Sequence, residues 1–436
     1  MINASSYGFS SDNNGEENRR ILQDLLDVER EVCIDTAGVY DICGSLYMPD
    51  GSHLHGVEGA VLRRQHNPTG KDSHFIMNSG AAKGVWNKQI IISNIQVSVN
   101  NVECTRASYN GVVVNSGEEL FGGRGQIMFM YVKDLVIENF TLLDCAPKDY
   151  AIEITDFDNV RVEHVHIEGE KDAIHFGPGR NFVLRDGIFR TYDDPIAINA
   201  TDYSPSGPNI GPIEHGLIEN CIDLEQNRTC GYFVRFLVGS WKDWEYGMPV
   251  RHSEAVIHDG KFYRAVLPDD WTERVSLTPP THDEGCAVLD DIAWCRTHMG
   301  YRSEELPRLA YIRDITLRNL TMQKKRTVGI IMYLSENENQ VGYRPGAPVP
   351  YVEDVTFDGI KVDCDIDDFM QICVPCRRIT LKNSDLRGSV IRFEPASCGL
   401  DNYPASFTLE NVTNMHLEDK GAFRPGHRDE SIKVKY

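Results

Sequence analysis

The amino-acid sequence predicts an all-β chain: a single-stranded right-handed parallel β-helix (a solenoid), with an N-terminal capping helix and a small inserted β-rich module. Two observations carry this. An alternating apolar run followed by Asn, Asp or Gly recurs, as in Leu135-Val136-Ile137-Glu138-Asn139-Phe140 and Phe182-Val183-Leu184-Arg185-Asp186-Gly187. Contiguous copies are offset by 25, 22, 24 and 28 residues. Each repeat also holds a second alternating run, such as Ala173-Ile174-His175-Phe176 or Phe233-Val234-Arg235-Phe236. Strands this short and this close leave no room for a crossover helix between parallel neighbours. About 22 residues with three short strands make one rung of a coil. Asn suits the bends, because it tolerates the left-handed backbone of a tight corner.

In chain order, the first element is a helix within Glu17–Glu31, where Ile21, Leu22, Leu25 and Leu26 fall on one face. A solenoid's open end exposes core and needs such a cap. Rungs follow from residue 89. The rhythm is lost between Arg235 and Ile312, where Trp241, Trp244, Trp271 and Trp294 cluster. The chain therefore divides into a capped β-helix over 1–239, a Trp-rich β module over 240–310 and the rest of the β-helix over 311–436. Insertions in a solenoid emerge on one face, often the binding face. The tryptophans either serve that face or form the module's own core.

The chain carries 44 Lys+Arg against 65 Asp+Glu, a formal charge of −21. Nucleic acid and anionic membranes are poor partners for such a surface. No basic start followed by an apolar run is visible, so a cytoplasmic protein is expected, or a secreted one whose signal has been removed. Twelve cysteines are scattered from Cys33 to Cys398. Cys373-Val-Pro-Cys376 lacks a second pair or a His at zinc-like spacing, so buried free thiols and no metal are expected.

The chemistry concentrates in two aligned runs, Lys171-Asp172-Ala173-Ile174 and Asp193-Asp194-Pro195-Ile196. Stacked rungs lie about 4.8 Å apart, which sets Asp194 above Asp172 with Asp193 beside them. Carboxylates so crowded repel, and at least one pKa should rise. Structure alone gains nothing from that crowding, which points to function. His215 follows Asp193 by 22 residues, and Arg235 falls on the next rung. A corner cap or a calcium site is the simpler alternative for an Asp-Asp pair.

These residues resemble the motifs of glycoside hydrolase family 28, the polygalacturonases and relatives. That family carries Asn-Thr-Asp, Asp-Asp, Gly-His-Gly, Arg-Ile-Lys and a later Tyr. Here stand Glu170-Lys171-Asp172, Asp193-Asp194, Glu214-His215-Gly216, Arg235-Phe236-Leu237 and Tyr333. The resemblance implies an inverting glycosidase without cofactor or metal. Asp193 would be the general acid, Asp172 and Asp194 would hold the attacking water, and His215 would tune the acid. Arg235, Tyr333, Glu170 and Lys171 would contact the carbohydrate. The module resembles small aromatic carbohydrate-binding modules, with Trp241 and Trp244 stacking on sugar rings. Glu170 and Leu237 replace the family's Asn and its carboxylate-reading Lys, which argues against plain polygalacturonate. Lys171 is expected to point away from the site. The alternatives are a polysaccharide lyase of the same fold and a non-enzymatic carbohydrate-binding or phage-tail-type protein.

Overall fold

The computed structural model describes the chain apart from residues 71, 105–122, 203–209, 268–271, 297–308, 338–339, 397, 399, 401–404, 423–431 and 436. Its helix is Gly15–Val28, capped by Asn14, whose side chain accepts from the Glu17 amide at 2.9 Å. Such caps contribute about 0.5–2 kcal/mol. Ile21, Leu22, Leu25 and Leu26 are buried against the first strands, so the helix covers the N-terminal end of the coil.

The strands form a parallel β-helix. One rung consists of Ile174–Phe176, Gly179–Arg185 and Ile188–Thr191, each paired in parallel with its counterparts before and after. The register is continuous across rungs. Ile152, Ile174, Ile196, Val234, Ile330 and Met370 form one column, and Ile154, Phe176, Ile198, Phe236, Met332 and Ile372 form another. Both columns point inward and are at most 1% exposed. Strand alternation turns the column between them outward: Glu153, His175, Ala197, Arg235, Ile331 and Gln371. That outer column carries the chemistry.

The bends bear out the expectation for Asn. Asn94, Asn139, His164, Asp186, Asn220, Asn319, Gly359, Asn383 and Asn411 stack at one corner with φ between 50° and 69°. Their amides link successive rungs, as from Asn319 to Asn220 at 3.3 Å and from Asn411 to Asn383 at 3.0 Å. A second left-handed corner falls within the strand that carries the middle run of the rung, at Asp134, Asn159, Asn181, His215, Asp314 and Asp354.

Strands within 242–296 form a separate five-stranded sheet, in the order Lys242–Asp243, Ala255–His258, Lys261–Val266, Ile292–Arg296, Cys286–Leu289. Val256, Tyr263, Ala265, Ile292 and Trp294 are fully buried in its own core. Gly239 pairs with Ala310 in antiparallel, so the chain leaves and re-enters the coil at one point. Cys286 and Cys295 form a disulfide between paired strands, with Cα atoms 4.1 Å apart, against the expectation of free thiols throughout. The other ten cysteines are free, including Cys373 and Cys376.

Candidate active site

The register of Ile174 on Ile196 stacks Asp194 on Asp172, as the repeat implies, with Asp193 alongside. The nearest oxygens of the three carboxyl groups lie within 4.8 Å of one another. On the next rung the place above Asp193 belongs to Gly231, with φ of 65°. A Cβ there would come within 2.7 Å of Asp194 Oδ1 and 2.9 Å of Asp193 Oδ1. Glycine alone supplies both the backbone conformation and the space.

Arg235 sits in the outer column above Ala197, whose small side chain leaves room for a guanidinium. Its Nε lies 3.2 Å from Asp194 Oδ2 and donates to Asn199 Oδ1 at 3.1 Å. Its Nη2 lies 3.5 Å from both Asp172 Oδ2 and Asp202 Oδ2. Three close carboxylates are also a donor set for a hard cation. Arg235 already sets its charge against two of them.

Lys171 departs from expectation. Its Nζ meets Asp193 Oδ2 at 2.6 Å. The chain between Gly169 and Ile174 is a bend rather than a strand, so the alternation that would turn Lys171 away does not operate.

These neighbours split the protonation states. Burial pushes Asp172 up to about 7 and Asp194 up to about 8, with Arg235 only partly opposing it. Burial also acts upward on Asp193, but Lys171, Arg235 and Arg326 more than reverse it and hold that carboxyl below its ordinary value. The coupled trio therefore keeps a charge on Asp193 and a proton on the Asp172–Asp194 pair near neutrality. The ion pair with Lys171 favours the charged form of Asp193, whereas the motif order assigns it the role of acid. Asp172 Oδ2 and Asp194 Oδ2 are buried and accept no hydrogen bond from the described residues.

His215 is not part of this cluster. It occupies the corner stack before the strand's middle run, with φ of 57°, and its Nδ1 bonds Asp314 at 2.7 Å. The long connection between Asn199 and Ile213 displaces it onto another face of the coil. The imidazole that does join the carboxylates is His175, which the motif comparison missed. Its Nδ1 lies 3.6 Å from Asp172 Oδ2 and its Nε2 3.5 Å from Asp202 Oδ2. Its ring stacks on Tyr150 at 4.6 Å, and burial lowers its pKa. Glu153, next in the column, is pushed up to about 7 by burial. The available signal was parity: in Ala173-Ile174-His175-Phe176, His175 faces opposite to two core residues.

Glu170 is paired with Arg228 at 2.7 Å, and Arg228 lies 3.8 Å over the Tyr192 ring. Tyr333 shares a row with Asn199 and Leu237, its ring 6.3 Å from that of Tyr232. Burial pushes Tyr232 up to about 12 and raises Tyr333 too, so both are neutral donors. Neither Trp241 nor Trp244 overhangs a cleft. Trp241 is 3% exposed, edge-on to Phe262 at 4.9 Å. Trp244 packs on the insert's core and donates to Ser276 Oγ at 2.8 Å. Both indoles are committed to packing, and Trp271 lies outside the described residues.

No family model and no curated relative matches the chain. Solved structures do. An exopolygalacturonase from Thermotoga maritima aligns with a TM-score of 0.50 at 9% identity, covering 100% of this chain and 91% of its own. The A-module of a mannuronan C-5 epimerase from Azotobacter vinelandii gives 0.46 at 11%, covering 100% of both. The Streptococcus pneumoniae surface adhesin PfbA gives 0.47 at 13%, covering 100% and 93%. The likeness to the exopolygalacturonase, at 9% identity, shows the fold alone, and a fold of this kind does not fix an activity.

Proposed function

We propose that the protein is a glycosidase that cleaves an α-linked oligo- or polysaccharide with inversion. In this reading the Asp172–Asp194 pair protonates the leaving oxygen and Asp193 activates water. The observation that supports it is three carboxyl groups gathered within 4.8 Å, where Lys171 at 2.6 Å favours the charge on Asp193 while burial raises Asp172 and Asp194. Groups whose environments push their pKa values apart are what acid–base hydrolysis requires. Arg235 neutralises charge at the centre, and Tyr232 and Tyr333 offer hydroxyls to the sugar. The trio's nearest oxygens, within 4.8 Å, are closer than the ~6.5–9.5 Å usual between acid and base in inverting enzymes. Inversion therefore rests on the motif order, and the anomer of the first product, read by NMR, is its test.

The protein should first be screened on a panel of glycans. Leu237 offers no cation at its place in the row, so unmodified polygalacturonate is expected to give a lower kcat/KM than a neutral α-linked oligosaccharide. Glu170 no longer supports that expectation, because Arg228 pairs with it. Robust cleavage of polygalacturonate would overturn the neutral-sugar reading and point to Lys171 as the carboxylate reader. An unsaturated, ultraviolet-absorbing product would replace hydrolysis with a lyase reaction. Binding without turnover on every glycan would leave a carbohydrate-binding protein.

A further inference from the structure

Asp202, which faces His175 and Arg235, stands at the start of the connection between Ile196–Asn199 and Ile213–Glu219. Gly211 N donates to Ala200 O at 3.0 Å, closing the neck of that connection. The insert grips the neck twice. Arg264, on the strand Lys261–Val266 and 1% exposed, donates through Nη2 to the backbone carbonyl of Asp202. Trp241 Nε1 donates to the carbonyl of Ile210 at 3.2 Å. On its other side the insert is anchored by Glu254, whose Oε1 meets Arg344 Nε at 2.6 Å.

We propose that the inserted sheet is a positioning device, in which Arg264 and Trp241 hold the neck so that the Asp202 carboxylate stays against His175 and Arg235. A sheet that served only to bind sugar would not need a buried arginine aimed into the coil. Burial pulls Arg264 down to about 10, with Asp202 opposing that fall, so its charge persists at neutral pH. Asn199 Nδ2, donating to Asp202 Oδ2 at 2.8 Å, completes the clamp from the coil side.

The inference rests on the glycosidase reading for its kinetic consequence, but not for its structural one. Two measurements on the full chain separate them. The first is kcat and KM of Arg264→Met, Arg264→Lys and Trp241→Phe on the substrate found by screening. The second is the titration of the His175 ring by NMR, assigned with His175→Gln, which needs no turnover. Asp202, Glu153, Asp172, Asp194 and Arg235 act on that ring electrostatically, and Tyr150 stacks on it. Arg264→Met is expected to lower kcat by about 10²-fold with KM little changed. It should also move the His175 titration to lower pH, because a raising partner has left. Arg264→Lys should recover most of both, and Trp241→Phe should show a smaller change of the same sign. A folded Arg264→Met with parental kcat and an unmoved His175 titration would overturn the inference. If no glycan is cleaved, the glycosidase reading falls and the His175 titration alone decides this one. If Arg264→Met does not fold, Trp241→Phe, which keeps an aromatic ring and loses the donor, carries the same two outcomes.

Discussion

Asp194→Asn is expected to lower kcat on an unactivated glycoside by a factor on the order of 10²–10⁴, the usual contribution of a positioned general acid. A nitrophenyl glycoside, whose leaving group needs no proton, should recover much of that loss, whereas Asp193→Asn should show no such recovery. The reverse pattern would return the role of acid to Asp193. The same variant should gain stability in alkali. Asp172 and Asp194 are raised in the folded state to about 7 and about 8, so the folded chain binds protons that the unfolded chain has released. Their favourable contribution is complete below the unfolded value near 4 and is lost as pH rises towards 8. Asp194→Asn removes one such group. Its melting temperature should exceed the parent's at pH 8, with the difference closing near pH 4. For the same reason the alkaline limb of kcat/KM should fall between about pH 7 and 8, as the acid loses its proton.

Replacing Arg235 by methionine is expected to cost about 3–5 kcal/mol of folding stability at pH 8, measured by denaturant unfolding. Its guanidinium faces Asp172, Asp194 and Asp202, all at most 3% exposed, and methionine leaves those charges in a dry site without it. The loss should shrink at pH 5, where Asp172 and Asp194 are protonated. Lysine keeps the charge but not the planar fork that meets several carboxylates at once, so Arg235→Lys should recover only part of the stability. Equal stability of parent and Arg235→Met at pH 8 would show that the cluster is not held by this charge.

Asp172 and Asp194 were legible in the sequence because rungs of 22 residues set like above like. The same spacing misplaced His215. The rung that follows Asp194 carries the long connection 200–212, and Tyr232, 38 residues on, donates its amide to Asp194 at 2.7 Å. Glu214-His215-Gly216 is instead a corner, in series with Asn181 and Asp314. His175 needed no distant information, since strand parity alone turns it outward. Asp202 and Arg264 were out of reach of any periodicity, because they meet through loop closure and the docking of a separate sheet. Lys171 was misjudged because a strand was assumed where the chain bends. For the insert's tryptophans both readings stood open, because composition announces a small aromatic core and a sugar platform in the same letters.

The pairing of Gly239 with Ala310 has a consequence for how the chain acquires its structure. Stacked neighbours are ordinarily about one rung apart in sequence, 22 residues for Lys171 and Asp193. Across the insert the corner neighbours Asn220 and Asn319 are 99 residues apart. Closing the longer loop costs about 1.3 kcal/mol more in chain entropy. An insert that folds first brings its two ends together and removes most of that difference. The two halves of the coil should then zip separately, and joining them should wait for the insert. Pulse-labelled hydrogen exchange during refolding should show protection in Lys261–Val266 and Ile292–Arg296 before Ile312–Arg318. Protection of Ile312–Arg318 ahead of the insert would mean that the coil closes over the gap unaided.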